Sequence, residues 1–138
     1  MTYTLTTTVA LPWVEALERT REALSAQGFG ILTEINVRST FEAKLGAEAA
    51  DAVGDYVILG ACNPPLASRA LAAEPEIGAL LPCNVVVRRT KDAGMTTVEA
   101  IDPQTMVRLS AAPAVKEIAD DAGSRLRKAL ADLGDIAK

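Results

Sequence analysis

From Thr4 to Ala10 apolar and hydroxyl-bearing residues alternate loosely, and the threonine content suits a pleated strand. Pro12 then opens a helix. Trp13, Leu17, Thr20 and Leu24 recur at helical spacing, while Glu15, Glu18, Arg19 and Glu22 occupy its other faces. Gln27-Gly28 closes it, with glycine just past the end. Phe29 to Val37 predicts a second strand with Ile31, Thr33, Ile35 and Val37 on one face and Leu32, Glu34 and Asn36 on the other. Ser39 or Thr40 is expected to cap a short helix carrying Phe41, Lys44 and Leu45 and ending at Gly46. Ala47 to Val53 follows as a loop or a further helical turn.

Tyr56-Val57-Ile58-Leu59 is apolar without alternation, the pattern of a strand buried on both faces, and Gly60 is expected to end it. Asn63 is a good helix N-cap, and Pro64 and Pro65 fall in the first turn, where a missing N–H costs nothing. The helix continues through Ala73. Pro75 breaks it, Ile77 to Leu81 forms a second helical piece, and Pro82 stops that piece. Cys83 to Arg89 is a β-branched fourth strand, Lys91 to Gly94 a turn and Met95 to Ile101 a fifth strand, so these strands form an antiparallel hairpin. Asp102-Pro103 starts a helical segment through Leu109. Pro113 opens the last helix, whose stripe is Val115, Ile118, Ala119, Ala122, Leu126, Ala129, Leu130 and Leu133. Arg125, Arg127 and Lys128 are expected near its C-terminus, where cations are favoured.

The connection from the third strand to the fourth decides the topology. Two helical pieces, one out and one back, return the chain to the end of the sheet it left. The strands are then antiparallel, and Cys62 and Cys83 share one rim. A single helical crossover would make the strands parallel and put the cysteines at opposite ends. The break at Pro75 favours the first arrangement. The expected fold is α+β in the order β-α-β-α-β-α-α-β-β-α, a single domain over residues 1–138. Its five-stranded sheet is largely antiparallel, with helices packed mainly on one face.

Composition narrows the function. Hydrophobic residues make up 49% and aromatics 4%, so the core is aliphatic. The net charge is −4 and the basic residues are scattered, which argues against nucleic-acid binding along a phosphate backbone. No apolar run approaches the ~20 residues of a membrane span. The N-terminus reads as a strand without a basic leader, so no signal peptide is expected and the expected location is cytoplasmic. Two cysteines there are reduced by default. The chain has no histidine, which excludes Ser-His and Cys-His catalytic pairs and histidine metal ligation.

Two groups of residues are candidates for chemistry. Cys62 lies between a strand end and a helix start, where free N–H groups and the helix dipole favour a thiolate. The alternative is that it packs as a small hydrophobe. Cys62 and Cys83, with Asn63 and Asn84 beside them, are a candidate ligand site. Such a pair suits a soft metal such as Cu(I), a small ligand or a reversible disulfide. Zinc would need four ligands, hence shared protomers or added carboxylates. The second group is Glu34, Lys44 and Glu99. Lys44 shares a helix face with Phe41 and Leu45, so it is placed to turn inward and pair with a strand carboxylate, shifting both toward acid–base work. The alternative is a solvated Glu and a Lys lying along the surface. Gly28-Phe29-Gly30 follows a helix rather than a strand and is no dinucleotide fingerprint. Asp120-Asp121 is a solvated face.

The patterns Gly28-Phe29-Gly30, Leu32-Thr33-Glu34-Ile35-Asn36-Val37, Phe41-Glu42-Ala43-Lys44-Leu45-Gly46, Leu59-Gly60-Ala61-Cys62-Asn63-Pro64 and Leu81-Pro82-Cys83-Asn84-Val85 together resemble the family catalogued as domain of unknown function 302. The resemblance runs from about Thr6 to Leu130. It implies a compact α+β domain and a homodimer, with the Cys-Asn-Pro and Leu-Pro-Cys-Asn segments as its signature. It carries over no catalytic residues and no cofactor. The leading expectation is a small binding domain whose rim holds Cys62 and Cys83. The alternatives are an enzyme of small-molecule or sulfur chemistry, with Cys62 as nucleophile supported by Lys44 and Glu34, and a structural homodimer module.

Overall fold

A computed structural model describes residues 3–136. Its sheet has the order β1 (Thr4–Val9), β5 (Thr96–Ile101), β4 (Cys83–Arg89), β3 (Asp55–Cys62), β2 (Gly30–Asn36). Every neighbouring pair is antiparallel. The chain therefore does double back between β3 and β4, through α4 (Pro64–Ala73) and a 3-10 segment (Pro75–Leu80), and the register sets Ala61 opposite Cys83.

Alternation along the central strands sorts residues between two faces. Val57, Leu59 and Ala61 of β3, Val85 and Val87 of β4, and Val98 and Ala100 of β5 point one way and are essentially buried. Against them pack α1 (Trp13–Ala26) and the 24-residue α6 (Pro113–Ile136), through Ala16, Ala23, Leu24, Leu126, Ala129 and Leu133. Alanine on both helices permits close approach to a valine-rich sheet, which suits a core with few aromatics. Trp13 adds a polar tie: its Nε1 donates to the Val87 carbonyl at 2.9 Å. Beyond the sheet rim a second apolar cluster joins Leu66 and Ala70 of α4, Ile77, Met106 of α5 (Gln104–Leu109), and Val115, Ile118 and Ala122 of α6. None of the described helices is long and apolar enough to cross a membrane.

The structure departs from the sequence pattern at four places and decides a fifth, Ala47–Val53, between the two expected alternatives. β3 does not end at Gly60 but runs on to Cys62, because Gly60 and Ala61 are held by ladders on both sides. β2 carries a register shift between Ile31 and Thr33. One extra residue flips everything after it, so Ile31 lies opposite Ala61 on the core face, while Thr33 and Ile35 lie opposite Gly60 and Ile58 on the other. Val37 has already entered α2 (Val37–Leu45), whose cap is Asn36 rather than Ser39 or Thr40: the Asn36 Oδ1 accepts the Ser39 N–H at 3.0 Å. Ala47–Val53 is a true helix, α3. Finally, α6 extends well past Arg125, which sits in mid-helix and donates from Nη1 to the Gln27 carbonyl at 3.0 Å, fastening the end of α1.

Candidate functional site

The rim formed by the end of β3 and the start of β4 holds both thiols. Asn63 follows Cys62 and caps α4, its Oδ1 accepting the Leu66 N–H at 3.2 Å. Cys62, Asn63 and Cys83 border one cavity of about 40 Å3, closed by Phe29, Met106 and Ile118. That leaves room for little more than a water or two. Both cysteines are free, Cys62 half-buried and Cys83 buried, so no disulfide pairs them. Burial, and secondarily the Coulombic interaction with Cys62, push the Cys83 thiol up to about 11. At neutral pH Cys83 is therefore a protonated, apolar packing group. Asn84 is separated from these three. It is exposed, and its register partner is Gly60, so it faces the opposite side of the sheet.

Glu34, Lys44 and Glu99 are not brought together. Glu34 lies on the core side of edge strand β2 and pairs with Arg21 of α1. Glu99 lies on β5, with β4 and β3 between it and β2, and on the opposite face. It accepts from Arg88 Nε at 2.6 Å and from Thr6 Oγ1 at 3.4 Å. Lys44 is exposed on the last turn of α2 and has no ion-pair partner among the described residues. The inward turn expected of Lys44 fails because α2 buries no residue of its own and offers no covered face for a lysine to enter.

A much roomier concavity than the thiol-lined one lies on the sheet face away from α1 and α6. The alternation that buries Val85 and Val87 turns Asn84, Val86 and Arg88 outward. With Tyr56, Glu99 and Ile101 they form the floor of an open groove of about 820 Å3. Residues 79–82 make one wall. That wall can come down onto the sheet because residue 60 has no side chain: a Cβ there would stand 2.1 Å from Thr33 Oγ1 and 2.9 Å from Pro82 Cγ. Arg88 reaches diagonally to Glu99, and that hydrogen bond raises the already high pKa of the guanidinium. Tyr56 and Arg88 had no place among the residues expected from sequence. The available signal was the polar–apolar alternation Asn84-Val86-Arg88 against Val85-Val87, masked by the general β-branched character of the strand.

A family model described as domain of unknown function DUF302 matches residues 5–133. The chain belongs to the DUF302 family. A crystal structure of an uncharacterized conserved DUF302 protein from Bacillus stearothermophilus is similar to it, at 32% identity and a TM-score of 0.84, covering 96% of this chain and 99% of that one. No curated protein matches the sequence. Within this DUF302 domain the Leu59–Pro64 and Leu81–Val85 segments are paired strand ends, with Gly60 opposite Asn84 and Ala61 opposite Cys83. They build two features back to back: the small thiol-lined cavity on one side of the sheet rim and the wall of the open groove on the other.

Proposed function

We propose that this DUF302 domain binds a small organic molecule in the groove on the open sheet face. One observation carries the reading: about 820 Å3 of concave space in which Tyr56, Asn84, Arg88 and Glu99 converge around apolar Val86 and Ile101. Small-molecule sites occupy roughly 300–1,000 Å3 and combine an apolar lining with a few placed polar groups.

The test is binding of 1-anilinonaphthalene-8-sulfonate, an apolar anion whose fluorescence rises on leaving water. Saturable binding at one site is expected for the wild type. It should weaken at least about tenfold in Val86→Trp, which fills the floor, with the circular dichroism spectrum unchanged; Ile101→Trp serves if that variant folds poorly. Absence of binding, or equal binding by the filled variants, rejects the reading.

A separate observation supports a second reading, a soft-cation site at the rim: Cys62 and Cys83 border one cavity. Two thiolates suffice for Cu(I) in a way they do not for zinc. Because the Cys83 proton must leave, such binding would strengthen as pH rises. Competition with bicinchoninate, comparing the wild type with Cys62→Ser and Cys83→Ser, tests it. Equal copper retention by all three rejects it.

A further inference from the structure

We infer that the ligand of the groove is a monocarboxylate with an apolar body, its carboxylate held by Arg88 and its body laid on Val86, Ile101 and the wall at Leu80–Pro82. This rests on the ligand-binding reading above and adds the chemical class.

The ion pair at the centre of the groove is asymmetric. The Glu99 side chain is 19% exposed and that of Arg88 is 41% exposed. The carboxylate is thus the anchored member, held by Arg88 Nε on one oxygen and by Thr6 on the other. The guanidinium is the member presented to the groove. It carries five N–H donors, of which one carboxylate can meet at most two, and among the described residues Glu99 is its only hydrogen-bond partner, with Tyr56 near enough to interact electrostatically. The remaining donors form a planar edge suited to a second carboxylate. Asn84, exposed, and Tyr56 stand beside it with further hydrogen-bonding capacity.

Charge selects the class. Arg88 and Glu99 neutralise each other, and no other charged side chain lines the groove among the described residues. The whole chain is net −4. A cation would have to compete for a carboxylate that is already doubly bonded. A dianionic phosphate would face Glu99 with a single guanidinium to offset two charges. A monoanion meets the open donors of Arg88 at the least electrostatic cost. A carboxylate alone would leave most of the volume and the apolar floor unused, so the fitting molecule has a hydrocarbon or aromatic body.

The experiment compares octanoate, octanol and octyl phosphate by isothermal titration calorimetry on the whole chain. Octanoate should bind at least about tenfold tighter than either of the others. Arg88→Lys, which keeps the charge and loses the fork, should weaken octanoate about tenfold and leave octanol unchanged. Glu99→Gln, which removes the repulsion, should narrow the gap between octanoate and octyl phosphate. Equal binding of octanol, or tighter binding of octyl phosphate by the wild type, overturns the inference. If the sulfonate dye binds at the groove but octanoate does not, the ligand class fails while the ligand-binding reading stands. If neither binds, both fail.

Discussion

Replacing Gly60 by alanine should loosen the domain and the groove together. The backbone at this position is not in the left-handed region, so alanine meets no conformational penalty there. The cost is steric. The new Cβ would sit 2.1 Å from Thr33 Oγ1, 2.9 Å from Pro82 Cγ and 3.5 Å from Thr33 Cβ. The Thr33 hydroxyl can turn away about its own χ1, since Thr33 is on an exposed edge strand. The Pro82 ring has no such freedom, so the wall must lift. Overpacking of this kind costs about 1–3 kcal/mol; with the threonine able to move we expect the lower part, about 1–2 kcal/mol. For a chain of this length that lowers Tm by about 3–10 °C. Urea unfolding read by the single tryptophan measures it, with an unchanged m-value marking a native-state effect. Lifting Pro82 should also weaken dye binding in the groove. Adding Thr33→Ala should recover part of the loss, a coupling of about 0.5 kcal/mol or more. A Gly60→Ala protein as stable as the wild type within about 0.5 kcal/mol, or a strictly additive double mutant, would refute the steric account.

Four further outcomes follow from the geometry. Cys83 is held neutral in the folded chain, its thiol raised from 9.0 to about 11 by burial first and by Cys62 second. The unfolded chain ionises earlier, so this stability is whole below about pH 9 and is lost as pH rises toward about 11, amounting to about 2–3 kcal/mol; urea melts across that range should show the slope in the wild type and its loss in Cys83→Ala. In native protein at neutral pH, iodoacetamide followed by mass spectrometry should modify Cys62 well before Cys83, and equal rates would contradict the burial. Trp13→Phe keeps one six-membered ring but loses the pyrrole half of the indole and with it the Nε1 bond to the Val87 carbonyl, with an expected cost of about 1 kcal/mol or more in thermal unfolding, and no cost would mean that water replaces the bond and the smaller ring repacks freely. Asn63→Ala removes the α4 cap and should cost about 1 kcal/mol; Asn63→Asp, which keeps the accepting oxygen, should recover most of it, and equal losses in both would show that the cap is not what matters.

The elements were legible in the sequence where the signal is local. Pro12, Pro64 and Pro113 stand at helix starts, Gly28 just past a helix end with φ +87°, and Asn63 at the cap. The out-and-back path was legible from one residue, Pro75, because a break in a crossover changes its parity. What could not be read was anything set by a partner strand. The irregularity between Ile31 and Thr33 exists only relative to β3, and it sends Thr33 and Ile35 away from the core face that Ile31 occupies. Gly60 looked like a strand terminator because glycine often is one, whereas here it is a gap that two neighbours occupy. Glu34 and Lys44 lie ten positions apart in sequence, yet the partner of Glu34 is Arg21 from the helix across the sheet face. Side-chain pairing across elements has no periodicity to betray it.

The alternation of faces along β4 explains why the site that geometry favours differs from the one the cysteines advertised. In β4 successive residues serve opposite faces. Cys83, Val85 and Val87 enter the core, while Asn84, Val86 and Arg88 meet solvent. A thiol in the inward set is constrained to be small and apolar; serine there would bury a hydroxyl beside Ile118 and Met106 without a partner. Cysteine fits that demand as a weak hydrogen-bonding group of the right size, whatever its reactivity. The outward set has no packing reason to hold an arginine and an asparagine at the middle of a sheet, where β-branched residues pack better. Arg88 is tethered to Glu99 through Nε and lines an open hollow. A residue that packing does not require, on a central strand, lining an open groove of about 820 Å3, is better evidence of a ligand than a buried thiol whose position the core already accounts for.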